Sequence, residues 1–169
     1  ITTAAANALA LGLAKCSCLV ALNLSRTDDS CSSQSCSCGI TKASAPNLCA
    51  ALQECAALQE LDLSRQDLRD EGAAAVGGLL ARSATLTTLL LADNGIGESG
   101  SLAFSSGVAS SRAPLASLSI ADNAIGVRGF EALCEALASR SEGPPTLRTL
   151  NVAMDRGSAL LSRTGGLSN

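Results

Sequence analysis

Leucine recurs along this chain in a fixed polar setting. The frame Leu-x-x-Leu-x-(Leu/Ile/Val) begins at Leu19, Leu58, Leu86, Leu115 and Leu147, at spacings of 39, 28, 29 and 32 residues. Eight positions after each starting Leu stand Thr27, Gln66, Asn94, Asn123 and Asp155, all polar. Leu68, Ile96 and Ile125 follow two positions later, and Gly72, Gly100 and Gly129 four after those. Each Gly opens a helical pattern with apolar residues at +4 and +8: Val76 and Leu80, Phe104 and Val108, Leu133 and Leu137. Alternation with period two predicts a short strand through each Leu-x-Leu, because successive side chains point to opposite faces. A spacing of four predicts a helix with both apolar side chains on one face. Ser44 with Leu48 and Leu52, and Ala5 with Leu9 and Leu13, continue the helical part toward the start of the chain. The first unit is therefore expected to be a helix without its strand.

One strand–turn–helix unit cannot close a core, but a stack of them can, each layer shielding the next. The turn is written almost identically in LLLADNGIGESG (89–100) and LSIADNAIGVRG (118–129). Each layer must leave its strand, bend and enter its helix in the same way. Asn suits the bend because its side chain bonds local backbone, and Gly relieves crowding where strand and helix backbones approach.

These residues resemble the leucine-rich repeats of the ribonuclease-inhibitor type, over approximately residues 5 to 155 and most specifically over 58–142. The resemblance implies an α/β solenoid, a horseshoe arc with a parallel sheet on its concave face and helices on its convex face. It also implies that Asn94 and Asn123 hydrogen-bond backbone of adjacent turns. Thr27, Gln66 and Asp155 depart from Asn, so the ladder is expected to be irregular at both ends. Residues 1–155 are read as one array of about five repeats, and 156–169 as an irregular tail. No terminal cap is evident, so the array is expected to continue in a longer protein.

The first spacing carries an excess that falls between Thr27 and Ile40, a polar insertion over residues 28–39 with the sequence DDSCSSQSCSCG. It holds Cys31, Cys36 and Cys38; Cys16 and Cys18 precede the same strand, and Cys49 and Cys55 are placed on the next helix. Thiolates bind soft metals, so a metal-binding loop, a disulfide and a flexible Ser/Cys loop all stay open. The spacing is a poor zinc signature, and no metal or other cofactor is assigned. Cys49 and Cys134 each follow a frame leucine and are read as small apolar helix-packing residues. Reduced thiols in a solenoid point to a cytoplasmic compartment.

Composition narrows the function. The chain has no His, so the commonest general base and metal ligand are missing, and no catalytic residue is assigned. A net charge of −3 gives no case for nucleic acid or an anionic membrane. The apolar stretch AAANALALGLA lacks a basic residue before it, is too short to span a bilayer, and fits the helical frame instead. The acids Asp28 and Asp29, and the run Arg69-Asp70-Glu71, are read as solvated or helix-capping.

The candidate binding surface is the concave face. It is expected to carry Arg26, Glu60, Asp62, Arg65, Thr88, Leu90, Asp93, Ser117, Ser119, Asp122 and Asn151, centred on Leu90, with the arginines at one end and Asp93 and Asp122 at the other. The structural turn residues are Asn94, Asn123, Gly72, Gly100 and Gly129. The leading expectation is a non-catalytic protein–protein scaffold within a larger complex; the resemblance makes cytoskeletal or ciliary assemblies candidate settings. The alternatives are activation of a small GTPase, implied by resemblance to Ran GTPase-activating proteins, and thiol-based metal binding through the insertion.

Overall fold

A computed structural model of the chain describes residues 3–26, 39–140 and 147–153. Helices and strands alternate: α1 (Thr3–Leu13), β1 (Ala21–Asn23), α2 (Ala45–Leu52), β2 (Glu60–Asp62), α3 (Arg69–Arg82), β3 (Thr88–Leu90), α4 (Glu98–Ser110), β4 (Ser117–Ser119), α5 (Gly126–Ser139) and β5 (Thr149–Asn151). The strands form one parallel sheet in the order β1-β2-β3-β4-β5. Each strand therefore pairs with its sequence neighbours, and each helix returns the chain by one strand spacing. This is the solenoid expected from the leucine frame.

The register follows the leucines. Leu22, Leu61, Leu89, Leu118 and Leu150 stand opposite one another across the four pairings. Leu61, Leu89 and Leu118 are fully buried, whereas Leu22 is half-buried and Leu150 is 40% exposed. A second column, Ile40, Leu68, Ile96 and Ile125, is also buried. Val76, Leu80, Phe104, Val108 and Leu133 close the core from the helix side. Each fully buried Leu contributes about 1.5–3 kcal/mol relative to exposure, so the central layers hold most of the apolar stabilisation.

The frame glycines sit inside the first turn of each helix rather than opening it. Their crowding is largely with the preceding layer's helix. A Cβ at Gly100 would lie 2.6 Å from the Asp70 Cα, and one at Gly129 would lie 2.8 Å from the Ser101 Cβ. Helix-to-helix approach is tightest between α3 and α4, where a Cβ at Gly107 would meet the Gly77 carbonyl oxygen at 2.2 Å. Glycine at these positions lets neighbouring helices approach closely, and Phe104 is the one aromatic ring in the described core.

Two cysteine placements differ from expectation. Cys49 is not one of them: it is buried on α2 as expected, and its thiol is pushed up to about 12 by that burial. Cys134, at the matching position of α5, is exposed, because no described helix covers that flank. Cys55 lies beyond the end of α2, buried, with its thiol raised by desolvation and then by Cys16 and Glu54. Cys31, Cys36, Cys38, Thr27, Asp28, Asp29 and Asp155 lie outside the described residues.

Candidate functional site

The concave face is built by the strand residues that alternate with the buried leucines. Parallel register aligns them in two columns: Ala21, Glu60, Thr88, Ser117 and Thr149, then Asn23, Asp62, Leu90, Ser119 and Asn151. The members on β2, β3 and β4 are half-buried except for Glu60, which is exposed, as are all four members on β1 and β5. Leu90 lies between Asp62 and Ser119, an apolar centre on an otherwise small and polar strip.

Part of that polarity is spent on the backbone. The Asn23 Oδ1 accepts the Ser25 N–H at 2.8 Å, and the Asp62 Oδ1 accepts the Ser64 N–H at 2.9 Å. The Asn151 Oδ1 accepts the Ala153 N–H at 3.3 Å. These side chains fold over the strand ends as local turns. Leu90 and Ser119 occupy the same column on β3 and β4 without that bond being shown for them.

At the C-terminal ends of the strands the chain enters a tight bend. Arg65, Asp93 and Asp122, at matching positions, have φ of 61°, 54° and 55°. Asp tolerates this left-handed region better than Arg. The Arg65 Nε lies 3.6 Å from the Asp93 Oδ2. The expected separation of arginines from acids is thus bridged at its middle, and the face carries less of a charge gradient than the linear order suggests.

Behind the bend runs a ladder of side-chain amides. The Asn94 Nδ2 donates to the carbonyls of Leu63, Leu91 and Ala92, and the Asn123 Nδ2 to those of Leu91, Ile120 and Ala121. The Asn123 Oδ1 accepts the Asn94 and Ile96 N–H groups, each at 3.0 Å. Gln66 takes the same place in its layer. Its Nε2 donates to the Leu24 carbonyl and its Oε1 accepts the Ile40 N–H, both at 2.7 Å. The longer side chain fits because Gly39 leaves room: a Cβ there would lie 2.7 Å from the Gln66 Oε1. The irregularity expected at Gln66 is therefore absent.

The outer side of the bends holds a feature that the linear pattern did not single out. Lys42, Asp67, Arg69, Asp70, Glu71, Gly95 and Gly97 line an open cleft of about 450 Å³. Asp70 is not simply solvated: its Oδ1 accepts the Gly97 N–H of the next layer at 2.7 Å. Glu71 lies 3.5 Å from the Lys42 Nζ, and its carboxyl is held below its ordinary range, first by its own backbone N–H and then by Lys42. Arg69, with φ of 52°, pairs with Asp67 and lies over Gly95, where a Cβ would come within 3.1 Å of the Arg69 Cδ. The signal available in sequence was the Gly-Ile-Gly at 95–97, which leaves this space open.

Among the described residues there is no cluster of three or more His, Cys, Asp or Glu that could hold a metal ion. No described helix is long and apolar enough to cross a membrane.

A family profile described as "Leucine Rich repeat" matches residues 54–77 and 82–105. No curated protein sequence matches the chain. Among solved structures, "Leiomodin-1 Actin-Binding Site 2 (ABS2)" has a similar fold, with a TM-score of 0.66 and 18% identity, over 88% of this chain and 77% of that one.

Proposed function

Because the chain is a leucine-rich-repeat protein, we propose that it is a non-catalytic interaction scaffold, presenting the concave strip around Leu90 to a partner within a cytoskeletal assembly. The observation that carries this reading is the aligned strip itself: within the five-stranded sheet, β3 and β4 hold Thr88, Leu90, Ser117 and Ser119 side by side on a preorganised backbone. Preorganisation lowers the ordering cost of binding. An apolar residue ringed by small polar ones has the layout of a contact centre with a polar rim. The fold shared with an actin-binding site makes filamentous actin the first partner to test.

The experiment is co-sedimentation with actin filaments. The chain is expected to pellet with actin, and Leu90→Arg is expected to weaken that by about tenfold or more, the loss typical of a central anchor. A chain that stays in the supernatant at every filament concentration, and that shows no binding to monomeric actin in a parallel assay, removes actin from the proposal. Unchanged binding by Leu90→Arg removes the concave face.

A further inference from the structure

Cys16 and Cys55 hold one frame position in neighbouring layers, three residues before Leu19 and Leu58. The same backbone turn carries both. The Cys16 N–H donates to the Leu13 carbonyl at 2.8 Å, and the Cys55 N–H to the Leu52 carbonyl at 3.1 Å. The Leu19 and Leu58 N–H groups then return to the carbonyls of Cys16 and Cys55. The two thiols meet at the end of α1. The Cys16 Sγ donates to the Gly12 carbonyl at 3.5 Å, and the Cys55 Sγ, from the next layer, donates to the adjoining Leu13 carbonyl at 3.4 Å. We infer that Cys16 and Cys55 form a dithiol site that takes a small-molecule disulfide as its oxidant and becomes a bridge between these two layers.

The layers are tied together just beyond this turn, where the Val20 carbonyl accepts the Gln59 and Glu60 N–H groups at 2.8 and 3.1 Å. Paired strands lie about 4.8 Å apart, inside the roughly 4.4–6.8 Å that a disulfide spans between Cα atoms. Cys16 is near enough to help raise the Cys55 thiol above its ordinary value. The frame also sets this pair apart from the other thiols. Cys18 falls level with Ala57, and the position of Cys16 and Cys55 is held by Ser83 and Arg112 in the next two layers. Both members lie between two described layers, so the pairing does not depend on what borders the array. A bond here would act on a thinly held element, since α1 buries Ala6, Ala10 and Leu13, two of them alanines, and its Asn7 accepts one bond from Asn47 at 3.0 Å.

The bridge forms by two exchange steps. Cys16, exposed where Cys55 is buried, attacks one sulfur of oxidised glutathione as its thiolate; a mixed disulfide forms and one glutathione thiolate leaves. The Cys55 Sγ then gives up its proton and attacks the Cys16 sulfur, expelling the second glutathione. Two protein thiols are oxidised, one external disulfide is reduced, and the two thiol protons end on the two glutathione molecules released. Excess reduced thiol runs both steps backwards. The new bond closes a loop from residue 16 to residue 55, which restricts the unfolded chain, and it fastens α1 to the layer beneath it. The concave strip takes no part, so this inference stands apart from the partner proposed above.

The test uses the full 169-residue chain, first fully reduced and then equilibrated with oxidised glutathione at neutral pH. In the wild type, peptide mapping without reductant is expected to find Cys16 linked to Cys55. A variant carrying Cys18→Ser, Cys31→Ser, Cys36→Ser, Cys38→Ser and Cys134→Ser isolates the pair. Its intact mass is expected to fall by two hydrogens, and its unfolding temperature to rise by about 5 °C or more above the reduced form. Adding Cys55→Ser is expected to stop the reaction with glutathione held on Cys16. The wild-type map guards against a variant that fails to fold. The inference is overturned if Cys16 and Cys55 both remain thiols, or if Cys16 keeps its glutathione with Cys55 present. A wild type that links Cys16 to another cysteine instead, or a bridge that lowers the unfolding temperature, overturns it as well.

Discussion

The middle layers and the end layers are written in the same leucine frame, yet they reach different degrees of order. Leu89 is fully buried between Leu61 and Leu118, while Leu150, in the same column, is 40% exposed. Ser101 and Phe130 share a frame position; the small polar residue is buried and the large aromatic one is not. Cys49 and Cys134 repeat the contrast. In a stacked fold, burial is conferred by the neighbour rather than by the residue. In the strand column a leucine is fully buried only where paired strands lie on both sides of it, as for Leu61, Leu89 and Leu118.

Substitutions can break this comparison, and the amide ladder gives the largest effect. Asn123→Ala leaves two buried N–H groups, those of Asn94 and Ile96, without their acceptor. At about 1–3 kcal/mol for each unsatisfied group, a loss on the order of 3–5 kcal/mol is expected from urea denaturation; a loss under about 1 kcal/mol would show that water replaces the side chain. Next come paired truncations. Leu89→Ala is expected to cost about 2–5 kcal/mol, as buried leucines do, and Leu150→Ala clearly less. Equal losses would erase the distinction between middle and end.

Gly107→Ala sharpens the comparison further. The added methyl has only the Gly77 backbone to meet, so a cost of about 1–3 kcal/mol is expected. Gly12→Ala, at the next-to-last position of α1 with open space around its Cβ, is expected to raise stability by about 0.5 kcal/mol or less, and thermal unfolding separates the two signs. The thiols give a smaller effect, carried by pH. Cys49, pushed up to about 12 from an ordinary value of 9.0, keeps its proton in the folded state when the unfolded chain has lost it. Its contribution is fully present below pH 9.0 and is lost as pH rises toward 12. A thiol reagent at neutral pH is accordingly expected to label Cys16, Cys18 and Cys134 at once, and Cys49 only on unfolding. The smallest effect is expected at Lys42→Ala: the Lys42–Glu71 pair is mostly exposed, and the urea midpoint should not move measurably.

Much of the fold was legible because the leucine period is a geometric statement. Period two inside each Leu-x-Leu, and a near-constant distance to the next, leave one economical solution: parallel strands stacked in register. The candidate site was legible as a face. Glu60, Thr88 and Ser117 share one column by alternation alone, as do Asp62, Leu90, Ser119 and Asn151. What those side chains touch was not legible. That Asn151 and Asp62 cap their own strand ends depends on bend geometry, and that Arg65 reaches Asp93 depends on the distance between neighbouring layers. Gln66 read as a break in the Asn ladder because its length differs; Gly39, far away along the chain, supplies the room it needs.

The sequence by itself determined the repeat, its strand–turn–helix order, the direction of stacking and the two strand faces, because these follow from side-chain periodicity within a single unit. Only the tertiary structure decided which frame positions are truly covered, which concave groups are tied down and which Asp or Arg meets which. Those outcomes are set by contacts between layers, and a contact between layers is a property of two distant stretches of chain at once.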